Sequence, residues 1–272
     1  MATVSDDGAG AERLRRAQRS VARSLIRDVR SLRRLILPTR LRTSVPAWID
    51  AIRAVVEEYS AASATLAAAY YDGERESAGI TGRFTVPVPG PPPDEQVEAT
   101  LRWATKDLWP RDPEAAATTA AQTLTLDVRL EQAERKTEGA VERLVLNAGR
   151  QTIREAVQQD RGAVAYARAA ALGACSFCKL MASRGAVFKD LDRVGREANE
   201  RFTGDDSVIK FHNSCRCQPI PVFRGQQFQL SPHAAEWDRI YREYAAGHPG
   251  DQLRRFRQAL AAHDQHPLPA AH

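Results

Sequence analysis

The sequence predicts a mainly α-helical fold, with elongated helical N-terminal and central regions and a small α+β module toward the C-terminus. Three observations lead there. Apolar residues recur every three or four positions over long stretches before residue 160. Aromatic residues make up only 7% of the chain, and the abundant alanine suits a helical core of Leu, Val, Ile and Ala. Between 173 and 223 the pattern breaks into short apolar pieces separated by Gly, Ser, Asn and Asp.

The first expected helix covers 11–37. Leu14, Ala17, Val21, Leu25, Val29, Leu32 and Ile36 form one apolar stripe, and Pro38 ends it. Eleven arginines between 11 and 42 face only Glu12 and Asp28, a local net charge of +9, so the remainder carries −4 of the overall +5. A basic arm on a mildly acidic body suits nucleic acid or an acidic protein partner, and equally a solvated helix face. A second helix is expected over 46–72, with Trp48, Ile52, Val55, Tyr59, Ala62, Leu66 and Tyr70 on its stripe. Pro46 would sit in its first turn and Asp72-Gly73 would stop it.

Residues 79–93 are a Gly/Pro-rich linker, since proline fixes the backbone and removes amide donors. Asp94 can cap a short helix carrying Val97, Leu101 and Trp103. Asp112-Pro113-Glu114 is a further helix start, with the pattern continuing to about Asp160 and room for a break at Glu138-Gly139. A short helix over 163–172 would lead into the cysteines, and Pro232 would open the C-terminal helices. The chain divides into a basic amphipathic region (1–78), the linker, a central helical region (94–172), the module (173–224), and C-terminal helices with a polar tail (225–272).

All four cysteines fall between 175 and 217. Cys175 and Cys178 form a C-x-x-C knuckle, and His212, Cys215 and Cys217 answer it as H-x-x-C-x-C. Zinc takes four tetrahedral ligands from Cys and His, so five candidates compete for four places. Two residues apart on an extended strand, Cys215 and Cys217 share a face. A redox pair would call for a βαβ setting that is absent here, and the mixed Cys/His set favours zinc over an iron–sulfur cluster. Four protein ligands leave no place for a catalytic water, so the zinc (Zn2+) reads as structural. It would stabilise a segment with few large apolar residues of its own, and structural zinc supplies about 10–16 kcal/mol of apparent binding energy in small zinc peptides.

No apolar run of about 18 residues predicts a membrane span. The N-terminus has no apolar core of a secretory signal, which points to a reducing compartment and favours metal over disulfide. His233, His248, His263, His266 and His272 sit in no recognised catalytic motif. Ser176, Ser183 and Ser214 read as turn residues, and Asp190, Asp192, Asp205 and Asp206 as a solvated acidic loop. No catalytic constellation is recognisable.

The string CSFCKLMASRGAVF, followed by FHNSCRCQPIPVF, resembles the C-terminal signature of MuF-like phage minor head proteins, in the branch found in actinobacterial tailed phages. The matching positions are Cys175, Cys178, Gly185, Val187, His212, Cys215, Cys217, Val222 and Phe223, and the close resemblance covers about 170–223. It implies a head-morphogenesis role: association with the portal protein and with scaffold or major capsid protein in procapsid assembly. Location would be the virion or procapsid interior, and the host cytoplasm during assembly. The basic N-terminal helix would contact DNA, with effects on packaging or ejection. Members of this branch are sometimes labelled capsid maturation proteases, which makes cleavage of scaffold or capsid protein one alternative. A zinc-containing nucleic-acid-binding protein is another.

Overall fold

Proline and the register of apolar side chains set the helix boundaries of the N-terminal half. The computed structural model describes residues 2–108, 124–188, 215 and 217–265. Strand β1 (Ala2–Ser5) precedes helix α1 (Ala9–Ser31), which buries Leu14, Leu25 and Val29 as its stripe requires. The expected helix to residue 37 ends earlier. Its last turn tightens into a 3-10 segment, Leu32–Leu35, and Ile36 is extended. The physical cause is Pro38, which disfavours helical backbone at Leu37; the extended step still buries Ile36.

Helix α2 (Leu41–Ser77) is longer than expected at both ends. At 37 residues it spans about 55 Å. Pro46 lies inside it rather than in its first turn, at the cost of one backbone hydrogen bond. Ser44 ties this entry together: its hydroxyl donates to the Arg40 carbonyl at 2.8 Å and accepts from the Leu37 amide at 3.1 Å. The helix passes through Gly73 and stops at Gly79, whose φ is +67°. The Gly79 amide donates to the Glu76 carbonyl and the Ile80 amide to the Arg75 carbonyl, the paired bonds of a Schellman stop.

The buried face of α2 departs from the expected stripe in its second half. Trp48 and Ile52 are buried as expected, but beyond Val56 the buried residues are Ser60, Ser63, Ala64, Ala67 and Tyr71. Small residues let two helices approach closely, so the contact runs along them instead of along Ala62 and Leu66. The partner is α4 (Leu126–Gln159), which continues through Gly139 without a break. At the crossing a Cβ on Gly149 would stand 2.8 Å from both Gln18 Nε2 and Ser63 Oγ, so any side chain there would have to displace this packing. Gln18 and Ser63 satisfy each other across the same contact, with Gln18 Nε2 donating to the Ser63 carbonyl at 3.0 Å and Ser63 Oγ donating to Gln18 Oε1 at 2.9 Å.

Helix α3 (Asp94–Ala104) packs Val97 and Leu101 into the same core, whereas Trp103 is half exposed. Asp94 makes no cap; its carboxylate pairs with Arg53 at 3.3 Å. The helix start at Asp112-Pro113-Glu114 lies outside the described residues. The linker residues 79–93 have no regular structure, and Val86 is buried with Phe84 and Ile80 against Tyr71 and Phe223.

The expected short helix over 163–172 is instead strand β2 (Ala163–Ala169), the centre of a three-stranded antiparallel sheet. It pairs with β3 (Val187–Phe188) and with β4 (Gln218–Phe223). The alanine run favoured a helix on local propensity. Burial on both faces reverses that preference, because a sheet can satisfy every backbone group while covering small side chains. Helix α5 (Ser176–Ala182) lies between β2 and β3. Strand β5 (Gln226–Gln229) pairs in parallel with β1, so the chain's first residues join its C-terminal part. Helices α6 (Pro232–Tyr244) and α7 (Gln252–Gln265) close the layer, packing Trp237, Ile240, Phe256 and Leu260 around the cysteines. The fold is thus mainly α with a small α+β part. No helix among the described residues is long and apolar enough to cross a membrane.

Candidate metal centre

The turn into α5 and the approach to β4 deliver the cysteines to one place. Cys175 is the N-cap of α5, and its Sγ accepts the Cys178 amide at 3.4 Å. That bond curls the knuckle so that Cys178 points inward and is buried. Cys215 and Cys217 arrive from the other side, both buried. Cys215 Sγ stands 3.2 Å from Cys178 Sγ and 3.2 Å from Cys217 Sγ. All three sulfurs lie within 4.8 Å of one another.

Of the five candidate ligands, the structure therefore gathers Cys178, Cys215 and Cys217. Cys175 is adjacent but exposed, and His212 lies outside the described residues. Thiolates on one tetrahedral zinc stand about 3.8 Å apart, given zinc–sulfur bonds of about 2.3 Å. The two separations of 3.2 Å are shorter than that by about 0.6 Å, close enough that small shifts let the three cysteines hold a metal ion. Soft thiolate donors suit zinc, copper(I) or iron–sulfur chemistry rather than calcium or magnesium.

The protonation of the trio is uneven. Cys178 is pushed above its ordinary value by its hydrogen bonds to Cys175, Cys215 and Cys217, reinforced by burial. At Cys215 the bond to Cys178 pulls down, but the bond to Cys217, burial and the Cys217 charge outweigh it, leaving the thiol pushed up to about 11. Cys217 falls well below its ordinary value because Cys178 and Cys215 both donate to it, with Arg168 and Arg150 adding positive charge against the cost of burial. A cation held by the three sulfurs would compete with their thiol protons.

Two buried arginines complete the centre, and neither was singled out from the sequence. Arg150, on α4, donates from Nε to the Cys217 carbonyl at 3.0 Å, from Nη2 to the Cys215 carbonyl, and from Nη1 to Asn147 Oδ1 at 2.8 Å. Burial pulls its pKa down while the Cys217 and Cys215 sulfurs pull it up. Arg168 reaches in from β2 and is also buried. A divalent ion on three or four thiolates would carry net negative charge, which the two guanidiniums would offset. A signal for Arg150 did exist: it stands in helical register with Leu146, Ile153 and Val157, all buried on α4. A charge on such a face needs a partner.

A second polar cluster joins Asp6, Ser231 and His233. Ser231 Oγ donates to Asp6 Oδ2 at 2.7 Å, and the Ser231 amide donates to Asp6 Oδ1 at 2.6 Å. His233 Nε2 lies 3.1 Å from Ser231 Oγ and 3.6 Å from Asp6 Oδ2. A hydrolytic triad places histidine between the acid and the nucleophile. Here the serine hydroxyl donates its hydrogen bond to the carboxylate directly, and it also accepts the Ala234 amide at 3.3 Å as the N-cap of α6. The arrangement is a clasp between the N-terminal segment and α6. Ser231→Ala removes a cap and takes the hydroxyl donor from the buried Asp6 Oδ2, so a loss of about 2 kcal/mol is expected. A thermal melt should show a midpoint lower by about 4–8 °C; an unchanged melt would exclude the clasp.

No curated protein and no solved structure matches the chain. Residues 6–246 do match the family model described as VG15 protein, a phage or viral family. The match takes in helices α1 to α6, strand β5 and the cysteine cluster, and on it the chain belongs to the VG15 protein family.

Proposed function

We propose that this chain is a MuF-like phage minor head protein that acts in procapsid assembly at the portal, built around a structural zinc centre. The observation that carries the reading is the buried cysteine cluster. Its thiols are enclosed by Leu180, Trp237, Ile240 and Phe256, a setting that excludes water and suits a ligand that holds the fold rather than one that turns over substrate. Cys178, Cys215 and Cys217 would supply three ligands, with Cys175 or His212 as the fourth. The family match supports a phage setting, and the motif strings around the cysteines favour the head-morphogenesis branch.

The partners on this reading are the portal protein and scaffold or major capsid protein. DNA would meet the arginines of α1. A groove of about 600 Å³ between α1 and α4 is lined by Arg19, Arg23, Arg27, Arg30 and Arg135, against Glu138 and Glu142. Arg30 pairs with Glu138 at 2.7 Å, Arg27 with Asp28 at 3.3 Å and Arg135 with Glu131 at 3.6 Å; the positive charge of Arg19 and Arg23 suits phosphates. The protein would lie in the procapsid or virion interior after assembly in the host cytoplasm. Proteolysis of scaffold or capsid protein draws no support from the Asp6–Ser231–His233 geometry.

Mass spectrometry of purified procapsids and virions tests the assembly role. The chain is expected in procapsids and to cross-link to the portal protein. Absence from both particles would overturn the reading.

A further inference from the structure

A second arginine-lined cleft, of about 640 Å³, lies where the linker 79–93, the turn between α4 and β2, and the turn between β4 and β5 converge. Its floor is fixed. Arg75 donates from Nε to Asp160 Oδ2 at 2.9 Å and from Nη1 to the Ile80 and Gly82 carbonyls at 3.2 and 3.0 Å, and it stacks on Phe84. Asp160 is buried and also accepts the Tyr71 hydroxyl at 3.1 Å and the Gly162 amide at 2.8 Å. Arg75 and Asp160 thus consume each other and hold the loop in place.

The walls are held as firmly. The Arg224 amide donates to the Gly162 carbonyl at 2.9 Å, joining the two turns. Ile80 packs so close to Gly162 that a Cβ there would lie 2.5 Å from its methyl group. Three further arginines, Arg83, Arg161 and Arg224, line this cleft from those three segments. All three are exposed, and none pairs with an acid among the described residues. The carboxylate nearest to hand, Asp160, is already taken.

Three arginines carried by joined segments gather like charge on one cleft, and like charges repel. An anion with several oxygens and more than one charge relieves that repulsion. A carboxylate has two oxygens and one charge and satisfies a single arginine fork, whereas phosphate matches several planar donors at once. We infer that this cleft binds a phosphate group, through Arg83, Arg161 and Arg224. The group can come from free phosphate, a mononucleotide or a DNA end. The site is separate from the α1 groove and from the cysteine centre, and it stands whether or not the assembly role does.

Calorimetric titration of the full chain at fixed ionic strength tests it. The probes are inorganic phosphate, dAMP, and one oligonucleotide with and without a 5′-phosphate. Wild type is expected to bind inorganic phosphate. Arg83→Gln, Arg161→Gln and Arg224→Gln are each expected to weaken that binding about tenfold, and the triple variant to abolish it with an unchanged unfolding curve. Arg242→Gln on α6, which lines neither cleft and pairs with Asp238, should leave it unaltered. Tighter binding of dAMP identifies a mononucleotide site, and a gain specific to the 5′-phosphorylated oligonucleotide identifies a DNA end. Equal affinities identify free phosphate. No phosphate binding by wild type, undiminished binding by the triple variant, or equally effective displacement by acetate would each overturn the proposal.

Discussion

Cys178→Ser is expected to abolish tight metal binding and to lower the thermal midpoint of the zinc-loaded chain by about 10–20 °C. The size follows from two scales. Structural zinc in small peptides provides about 10–16 kcal/mol of apparent binding energy. If about 5 kcal/mol of that is expressed as stability in a chain of this size, the midpoint moves by the stated amount. Cys178 is the position to change because it touches Cys175 through its amide and Cys215 through its sulfur. A serine hydroxyl is a harder, less acidic donor and does not replace a thiolate.

The loss should be local. The cysteines pack with Ala170, Leu180, Trp237, Ile240 and Phe256, while Leu25, Trp48, Ile52, Val56 and Val145 form a different part of the core. Far-ultraviolet dichroism of the variant should keep most of its helical signal, while the Trp237 environment loosens. Elemental analysis should find about one zinc per wild-type chain and none in Cys178→Ser. Added zinc should raise the wild-type midpoint with concentration, as linkage requires, and leave the variant's unmoved. A variant that retains zinc and melts like wild type would refute the structural role. The pH dependence has a definite sign. Metal uptake turns thiols into thiolates, and Cys178 and Cys215 hold their protons above the ordinary value. Protons therefore compete with zinc, and the zinc-dependent gain in stability should shrink as pH falls.

What could be read in the sequence was whatever rests on local spacing. The apolar period placed α1, α2 and α4, and the C-x-x-C and H-x-x-C-x-C spacings singled out five candidate ligands, among them the three cysteines that the fold gathers. What could not be read depends on contacts distant along the chain. Strand β1 is four residues long and acquires meaning only by pairing Ala2 with Gln226. The Asp6–Ser231 clasp bridges 225 positions. Alanines at 163, 165, 167 and 169 form a strand because β3 and β4 flank them, against their local preference. On α2 the large residues drew attention, but Ser60, Ser63 and Ala67 form the close contact, because α4 offers Gly149 at the crossing. Arg150 sat in plain register on a buried face; nothing nearby in sequence says what pairs with it.

Arg150→Met is the second large effect, and it separates packing from positioning. Methionine keeps most of the bulk but removes the charge and the donors that hold the Cys215 and Cys217 carbonyls and Asn147. Those carbonyls stay buried, so the stability cost is about 3 kcal/mol, or about 6–12 °C in midpoint. Loss of filling alone would stop there. If Arg150 aims the C-x-C segment at the metal, zinc affinity should also fall, by about 10–100-fold, as it does when outer partners of metal ligands are removed. Arg150→Lys supplies the control. It restores a positive charge near Cys217 but not the planar fork that spans two carbonyls. Recovery of affinity in the lysine variant would show that charge alone matters; affinity still low would show that geometry does. A methionine variant that is destabilised yet binds zinc as tightly as wild type would reduce Arg150 to a packing residue. The fork reaches both carbonyls flanking the segment that carries two of the three gathered sulfurs, which is why the weakened affinity is the expected result.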